Sequence, residues 1–423
     1  MDITNSDHSA AEALVARDAA SFFHQEGSSP CIGGLKHASG CWIEDLDGRR
    51  YIDLHGNTAH HLGHAHPELV AALKTQLDTL TFSPRRYTND PATMLAERLG
   101  AQWPGGKAKM LFATGGSDAI EIAVKLARVA TGRSATASLE GSYHGHGFGA
   151  FGLSRAHPDQ RLGTFLPDRL HIRPYWGEGG ADATLDDLGK VLKNTTGGIA
   201  AVIAEPIRSN CHVPPDHLWP EVRRLCDAAG AKLIFDEIPS GLGKTGRFFA
   251  FEHFAVIPDI VVLGKALGGG IMPIAAVLAD ARLDVAPELS LGHYTHEKNP
   301  VTTRAALTTI DIILRDDLPQ RAARLEAVVR ARVAELSSTE PAIVGVRGKG
   351  LLLALEIDRA KLSAGEADII RTLMHHGIST TLKGTEAIGF SPPLTIADED
   401  LETSLSRIRN AFRELTVPAE AGH

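Results

Sequence analysis

Three short apolar runs constrain this chain more than anything else in it. AAVIAEP (200–206), KLIFDE (232–237) and DIVVLGK (259–265) are continuous rather than alternating. Continuous runs of this length belong to strands covered on both faces, as happens inside a parallel sheet. Between the first two lies HLWPEVRRLCDAAG (217–230), which places Leu218, Val222 and Leu225 on one helical face and ends at Gly230. A fourth run, KMLFA (109–113), leads into TGGSDAIEIAVKLARVA (114–130), a strand turning into a helix. Strands alternating with helices in this way predict an α/β fold with a parallel sheet.

Each of the three runs ends in an ionisable residue: Glu205, Asp236 and Lys265. They follow one another at about 30 residues, one βαβ unit apiece. Ligands of open parallel sheets bind beyond the carboxyl ends of the strands, so the three side chains are expected to converge on one crevice. Taken singly, each has a plainer explanation. A lysine at a strand end is usually solvated, and an aspartate there usually caps a helix or a turn. TGGSDA (114–119) adds a glycine-rich turn at a helix N-terminus, where backbone N–H groups receive anions. Its plainer explanation is a turn capped by Ser117 or Asp118. Lysine, aspartate and anion cradle together suit pyridoxal phosphate. The amine forms a Schiff base with the aldehyde, and the carboxylate keeps the ring nitrogen protonated. Lys265 is read as that amine.

The rest of the chain limits the alternatives. It has 423 residues, 43% hydrophobic and 22% charged, as in ordinary globular proteins. A net charge of -8 without long charged blocks argues against nucleic acid or an anionic membrane as partner. No run reaches the roughly 18 apolar residues of a membrane span. MDITNSDHSAAEALVARDAA lacks the basic–apolar–small pattern of a signal peptide, and Cys31, Cys41, Cys211 and Cys226 lack metal-ligand spacing. A reduced, cytoplasmic protein is expected. CWIEDLDGRRYIDL (41–54) predicts a hairpin turning at Asp47-Gly48, and helices are expected over 11–25, from Pro67 to about Leu80, near 317–337 and near 364–376. GLGKTG (241–246) contains Gly-Lys-Thr, but a P-loop needs glycine where Ile238 stands. His55, His60, His61, His64 and His66 cluster in sequence without an HExxH pattern, and no metal is expected; His60 or His61 is a candidate to line the pocket.

With these residues in place, the chain resembles the class III aminotransferases. The motifs are GHAHP (63–67), GGSDAIEIAVKLAR (115–128), GSYHG (141–145), AVIAEP (201–206), LIFDEIPSGLGKTGRFFAFE (233–252), PDIVVLGKALGGG (258–270) and SPPLTI (391–396). The resemblance implies a fold-type-I pyridoxal-phosphate-dependent transferase, an α/β chain with a large, mostly parallel-sheet domain and a smaller α+β domain. The expected division is 1–65 as an N-terminal segment contributing to the small domain, 66–318 as the large cofactor-binding domain and 319–423 as the C-terminal small domain. Carried over by position, Lys265 is the Schiff-base lysine and Asp236 the partner of the ring nitrogen. Gly115, Gly116 and Ser117 match the phosphate loop, Tyr143 the residue stacked on the ring, and Glu205 a glutamate near the cofactor. Thr295 matches a threonine that reaches the neighbouring subunit's cofactor phosphate, which implies a homodimer with active sites at the interface.

Four departures from the family pattern stand out. Pro239 replaces a glutamine that hydrogen-bonds the ring hydroxyl. Gly389 replaces the arginine that grips a substrate carboxylate in glutamate-using transaminases, and Asn210 replaces that arginine's glutamate partner. His296, Glu297 and Lys298 replace Phe-Gly-Gly before Asn-Pro. Without the arginine, an ordinary cycle with a 2-oxo acid loses its charge-assisted bidentate anchor, unless another basic residue takes over.

FSPRRYTN (82–89), DEIP (236–239) and HYTHEKNP (293–300) further resemble a branch of the family that eliminates ammonia from a hydroxylated aminophosphonate. Its anionic substrate would need cations, and Arg85, Arg86 and Lys298 are the candidates, with Lys383 behind them. Paired loop arginines also occur on solvated or inter-subunit surfaces. Three readings follow: an ammonia-lyase on a β-hydroxy amine with an anionic group, an aminotransferase on an amine or ω-amino acid, and a non-catalytic cofactor binder. Intact Lys265 and Asp236 argue against the last.

Overall fold

The computed structural model describes residues 9–25, 28–29, 31–154, 159–163, 165 and 167–416. After the helix Ala10–Ser21 comes an antiparallel meander of β1 (Leu35–Ser39), β2 (Trp42–Asp45) and β3 (Arg50–Asp53). The expected hairpin is its second half. Gly48 sits at φ 82°, and Asp45 Oδ1 accepts the N–H groups of Asp47 and Arg49 at 3.0 and 2.8 Å, closing the turn.

The central sheet follows from β4 (Ala108–Ala113), β5 (Ala135–Leu139), β6 (Arg169–Ile172), β7 (Ile199–Ala204), β8 (Lys232–Asp236), β9 (Ile260–Leu263) and β10 (Ala275–Asp280). These seven strands lie in the order β4-β10-β9-β8-β7-β5-β6. All pairings from β9 through β6 are parallel; β10 runs antiparallel to both β4 and β9. Every residue of β5, β7 and β9 is buried, which explains why the latter two read as continuous apolar runs. Each aliphatic side chain of β9 is fully enclosed, and such burial is worth about 1.5–3 kcal/mol per side chain.

Helices cover both faces. Gly116–Thr131 buries Ile120, Ile122, Ala123, Val124 and Ala127 and stops at Gly132 in the left-handed conformation. Leu218–Ala229 buries Leu218, Trp219, Val222 and Cys226 and stops at Gly230 (φ 66°). Leu225, expected on that face, is only partly buried; Trp219 fills its place, donating from Nε1 to the Pro206 carbonyl at 2.9 Å.

The C-terminal part holds an antiparallel sheet of β11 (Ile343–Lys349), β12 (Leu352–Ile357) and β14 (Ala387–Phe390), preceded by the long helix Leu318–Thr339. Between them β13 (Ile378–Ser379) pairs in parallel with β3, so the N-terminal meander is closed by a strand from near the other end of the chain. The architecture is the expected α/β one, with a large, mostly parallel sheet.

Candidate active site

Because β7, β8 and β9 are parallel neighbours, their carboxyl ends open on one side of the sheet. Asp236 is the last residue of β8; Glu205 follows β7 at once, and Lys265 comes after β9 and Gly264. All three line a single cavity of about 170 Å³, together with Gly116, Ser117 and Tyr143. Gly115 is the N-cap residue of the helix that brings Gly116 and Ser117, and no side chain caps that N-terminus.

Lys265 has φ 46°, a left-handed conformation unusual for a residue with a Cβ. Such a backbone costs about 1–3 kcal/mol and persists only where its surroundings hold it. Here a 3-10 turn does so, with Leu267 N–H on the Gly264 carbonyl at 2.9 Å and Gly269 N–H on the Ala266 carbonyl at 2.8 Å. Burial pushes the lysine's pKa down. Glu205 and Asp236 oppose that shift, and Lys383 adds to it. The amine is thereby moved toward its neutral, nucleophilic form.

Asp236 is enclosed and accepts twice: at Oδ2 from His144 Nδ1 at 2.8 Å, and at Oδ1 from the Ile238 N–H at 3.1 Å. Glu205 Oε1 accepts from the Ser209 N–H at 3.0 Å, while Oε2 lies buried without a hydrogen bond, 3.7 Å from Arg208 Nε. Burial raises the Glu205 pKa, with Asp236 adding to the rise. Arg208 in turn stacks on Trp176, 4.1 Å from the ring centre.

The anion cradle is built by close approach. Ser117 Oγ accepts the His146 N–H at 3.0 Å, and Gly145 lies against the same serine at φ 121°. A Cβ on Gly145 would fall 2.4 Å from Ser117 Oγ, and one on Gly116 would fall 2.8 Å from Ile238 Cδ1. Tyr143 is half-exposed at the mouth.

Four of the expected residues lie elsewhere. Thr295, Arg85 and Arg86 are exposed, and none of them, nor Lys298, lines this cavity. Their two loops are laced together: Arg85 Nη1 donates to the His293 carbonyl at 3.3 Å and Asn89 Nδ2 to the Lys298 carbonyl at 2.9 Å. Arg85, His293 and Glu297 instead line a second cavity of about 360 Å³ against β4 and β10. Pro239 does line the first cavity.

Sequence reasoning missed His144, although the quoted GSYHG motif contains it. A loop histidine gives no periodic signal, and its value arises only from meeting Asp236, 92 positions away. Three of the histidines of 55–66 serve the fold. His64 Nε2 donates to Asp53 Oδ2 at 2.9 Å, His60 Nε2 to the Asp53 carbonyl at 3.2 Å, and His61 Nε2 to the Gly241 carbonyl at 3.2 Å. The set-aside Gly-Lys-Thr has a structural use: Lys244, fully buried, donates to the Ser391 and Pro392 carbonyls at 3.2 and 2.6 Å, fastening the SPPLTI loop.

A lysine and an aspartate at neighbouring strand ends, facing a glycine-lined helix N-terminus, define a pyridoxal-phosphate site. Residues 24–412 match the family described as aminotransferase class-III. The chain is 34% identical to the (R)-1-hydroxy-2-aminoethylphosphonate ammonia-lyase of Vibrio splendidus, covering 96% of this chain and 91% of that protein. It is 33% identical to the acetylornithine aminotransferase of Methanopyrus kandleri, covering 94% and 99%. Among solved structures, the ornithine aminotransferase of Toxoplasma gondii, with pyridoxal phosphate at partial occupancy, superposes with a TM-score of 0.84 at 26% identity, covering 96% of this chain and 94% of that one. The chain belongs to the class III aminotransferase family, and its cofactor is pyridoxal 5'-phosphate.

Proposed function

We propose that the chain eliminates ammonia from a primary amine that carries a hydroxyl on the adjacent carbon and an anionic group beyond it. The substrate class is that of 1-hydroxy-2-aminoethylphosphonate, and the product is an aldehyde. One observation carries this reading: Gly389, where a glutamate-using transaminase needs its carboxylate-gripping arginine, has Lys383 Cε packed 3.2 Å from where its Cβ would be. Position 389 itself offers no guanidinium to receive a 2-oxo acid in a second half-reaction, and the nearby Arg347 is engaged by the Asn210 and Lys383 carbonyls and by Glu356. The similarity to the Vibrio splendidus ammonia-lyase supports the same reading.

The residues fit the cofactor. Gly116 and Gly145 let the backbone close on Ile238 and Ser117 where a Cβ would clash, Gly115 beside them faces open space, and the uncapped helix beside Ser117 is electropositive. Lys265 and Asp236 supply the amine and the carboxylate at one cavity. Bound there, pyridoxal phosphate supplies an aldehyde to take the substrate's nitrogen and a protonated ring to draw electrons from the carbon beside it.

This chain's own side chains do the rest. Asp236, oriented by His144, holds the proton on the ring nitrogen. Lys265, kept toward neutrality by burial, takes the proton from the carbon bearing nitrogen and returns it to the departing hydroxyl, which leaves as water. Addition of water to the released enamine gives aldehyde and ammonia. The water expelled equals the water consumed, and no electron acceptor is needed. Tyr143 covers the cofactor's open side. A second copy of the chain brings Thr295 to the cofactor phosphate as a homodimer, and the enzyme works in the cytoplasm.

The second reading, an aminotransferase acting on an amine or ω-amino acid, is favoured by the likeness to the Methanopyrus kandleri acetylornithine aminotransferase. Ammonia measured over many turnovers with no 2-oxo acid present separates the two. Sustained release is the expected outcome. A single turnover restored only by pyruvate or 2-oxoglutarate would overturn the lyase reading.

A further inference from the structure

We infer that Lys383 holds the anionic group of the substrate just outside the cavity that Asp236 and Lys265 line, and that Gly389 and Ala354 are small so that Lys383 and Arg347 can meet there. The inference rests on an anionic amine being the substrate, as proposed above, and assigns its anion to a residue.

The register of the C-terminal sheet makes the case. Arg347 pairs with Ala354, and Ala354 with Gly389, so one row across β11, β12 and β14 reads arginine, alanine, glycine. Directly paired residues of antiparallel strands share a face. The arginine therefore lies over two positions that offer almost no side chain. Its Nη2 donates to the Lys383 carbonyl at 3.2 Å and its Nε to the Asn210 carbonyl at 3.4 Å, while Nη1 meets Glu356 Oε1 at 3.4 Å. Arg347 is thus occupied, and its effect is to position the turn that carries Lys383.

Lys383 enters the space over Gly389. A Cβ on that glycine would lie 3.2 Å from Lys383 Cε and 3.3 Å from Thr380 Oγ1. The turn is fixed by Lys383 N–H on the Ala387 carbonyl and Gly389 N–H on the Thr381 carbonyl, each at 2.8 Å. Among the described residues, the Lys383 ammonium has neither a carboxylate nor a hydrogen-bond acceptor within reach, although it is only partly exposed.

Burial lowers the pKa values of Lys265, His55 and Lys244, and the Lys383 charge adds to each shift. Thr381 Oγ1 lies 3.5 Å from His55 Nδ1, placing that histidine beside the same turn. Arg347 ties the Lys383 carbonyl to that of Asn210, whose neighbour Ser209 lines the cavity, and an unpaired ammonium so placed suits a molecule with an amine at one end and an anion at the other. As a compact point charge, lysine serves a tetrahedral phosphonate as readily as a planar carboxylate.

The test uses the cofactor-loaded protein, whose own phosphate site is filled. Hydroxyethylphosphonate and 3-hydroxypropanoate, which carry the anion without the amine, are titrated by calorimetry into wild type, Lys383→Met and Lys383→Arg. The expected result is binding of at least one anion by wild type, a loss of 10-fold or more in Lys383→Met, and recovery of most of it in Lys383→Arg. Preference for the phosphonate identifies the tetrahedral anion, and preference for the carboxylate the planar one. Gly389→Ala keeps the charge but crowds its stem, and a several-fold loss is expected there. Equal binding by wild type and Lys383→Met, or no binding of either anion by wild type, overturns the inference. Ammonia release by wild type is scored separately. Lys383-dependent anion binding without ammonia sinks the proposed reaction and keeps this assignment; ammonia release with Lys383-independent binding does the reverse.

Discussion

His144 Nδ1 stands 2.8 Å from Asp236 Oδ2, and the two residues are each only 2% exposed. The carboxylate proposed to hold the cofactor's ring proton is itself held by an imidazole. His144→Ala would leave one carboxylate oxygen buried without its donor, a penalty of about 1–3 kcal/mol. We expect kcat to fall by about 10- to 100-fold, together with a shift in the pH dependence of the bound cofactor's absorption. A merely structural histidine would lower Tm and leave that spectral titration in place.

Gly145 tests the cradle. Alanine there must adopt φ 121° and put its Cβ 2.4 Å from Ser117 Oγ. Strain of about 1–3 kcal/mol at the serine predicts a rise of about 10- to 100-fold in the dissociation constant for pyridoxal phosphate. Fluorescence titration of the cofactor-free protein reads it directly. Affinity unchanged within twofold would mean that the phosphate is held elsewhere.

Lys244 gives a prediction in pH. Burial lowers its pKa from 10.5 to about 7, against the opposing pull of Cys211 and Asp53. Between about pH 7 and pH 10 the unfolded chain carries this proton and the folded chain does not, so stability rises with pH across that window. Below pH 7 both states are protonated and the full cost of burying the charge remains. Lys244→Met removes the rise and leaves the Ser391 and Pro392 carbonyls unpaired, at about 1–3 kcal/mol. The variant should be less stable than wild type at pH 9.5, with the gap closing or reversing toward pH 6. Urea unfolding at both values measures it, and parallel pH profiles would refute it.

Thr295 tests the dimer. It is exposed and absent from the cavity of its own chain. In the proposed homodimer it donates to the phosphate bound by the other copy, a charge-assisted bond worth about 1.5–3 kcal/mol. Sedimentation at twice the chain mass and a cofactor affinity about 10- to 100-fold weaker in Thr295→Val are expected. A monomer that binds cofactor as tightly as wild type would remove the role.

How far the sequence could be read depended on the kind of signal each element carries. The runs at 200–206, 232–237 and 259–265 became β7, β8 and β9 because burial on both faces leaves an unbroken apolar imprint, while the run at 109–113 became the edge strand β4, in which only Phe112 and Ala113 are buried. The helices expected near 317–337 and 364–376 appear as Leu318–Thr339 and Glu366–His375, and the one from Pro67 ends at Leu77, slightly early. β6, with the polar string RLHI at the sheet edge, leaves no such imprint. Nor does sequence announce that β10 turns back against its neighbours, since direction is set by what connects strands rather than by what composes them.

For the site the division is similar. Lys265, Asp236 and Glu205 were legible because strand ends converge by topology. The bond from His144 to Asp236 and the stacking of Arg208 on Trp176 were not, because each joins two loops whose spacing no local pattern fixes. Gly389 was visible as a missing arginine. That Lys383 occupies the space it leaves could be seen only once the turn was folded.

The antiparallel strand β10 has a consequence for how the protein is made. β4, which delivers the cradle helix, touches the sheet only through β10, and β10 is the last of the seven strands to emerge from the ribosome. Until residues 275–280 exist, β4 has no partner in the sheet, and only the packing of the helix Gly116–Thr131 on β7, β8 and β9 keeps the glycine turn near Lys265. The turn gains its backbone anchor with the sheet's final strand, and stalled chains ending before it should hold the cofactor more weakly than the finished protein.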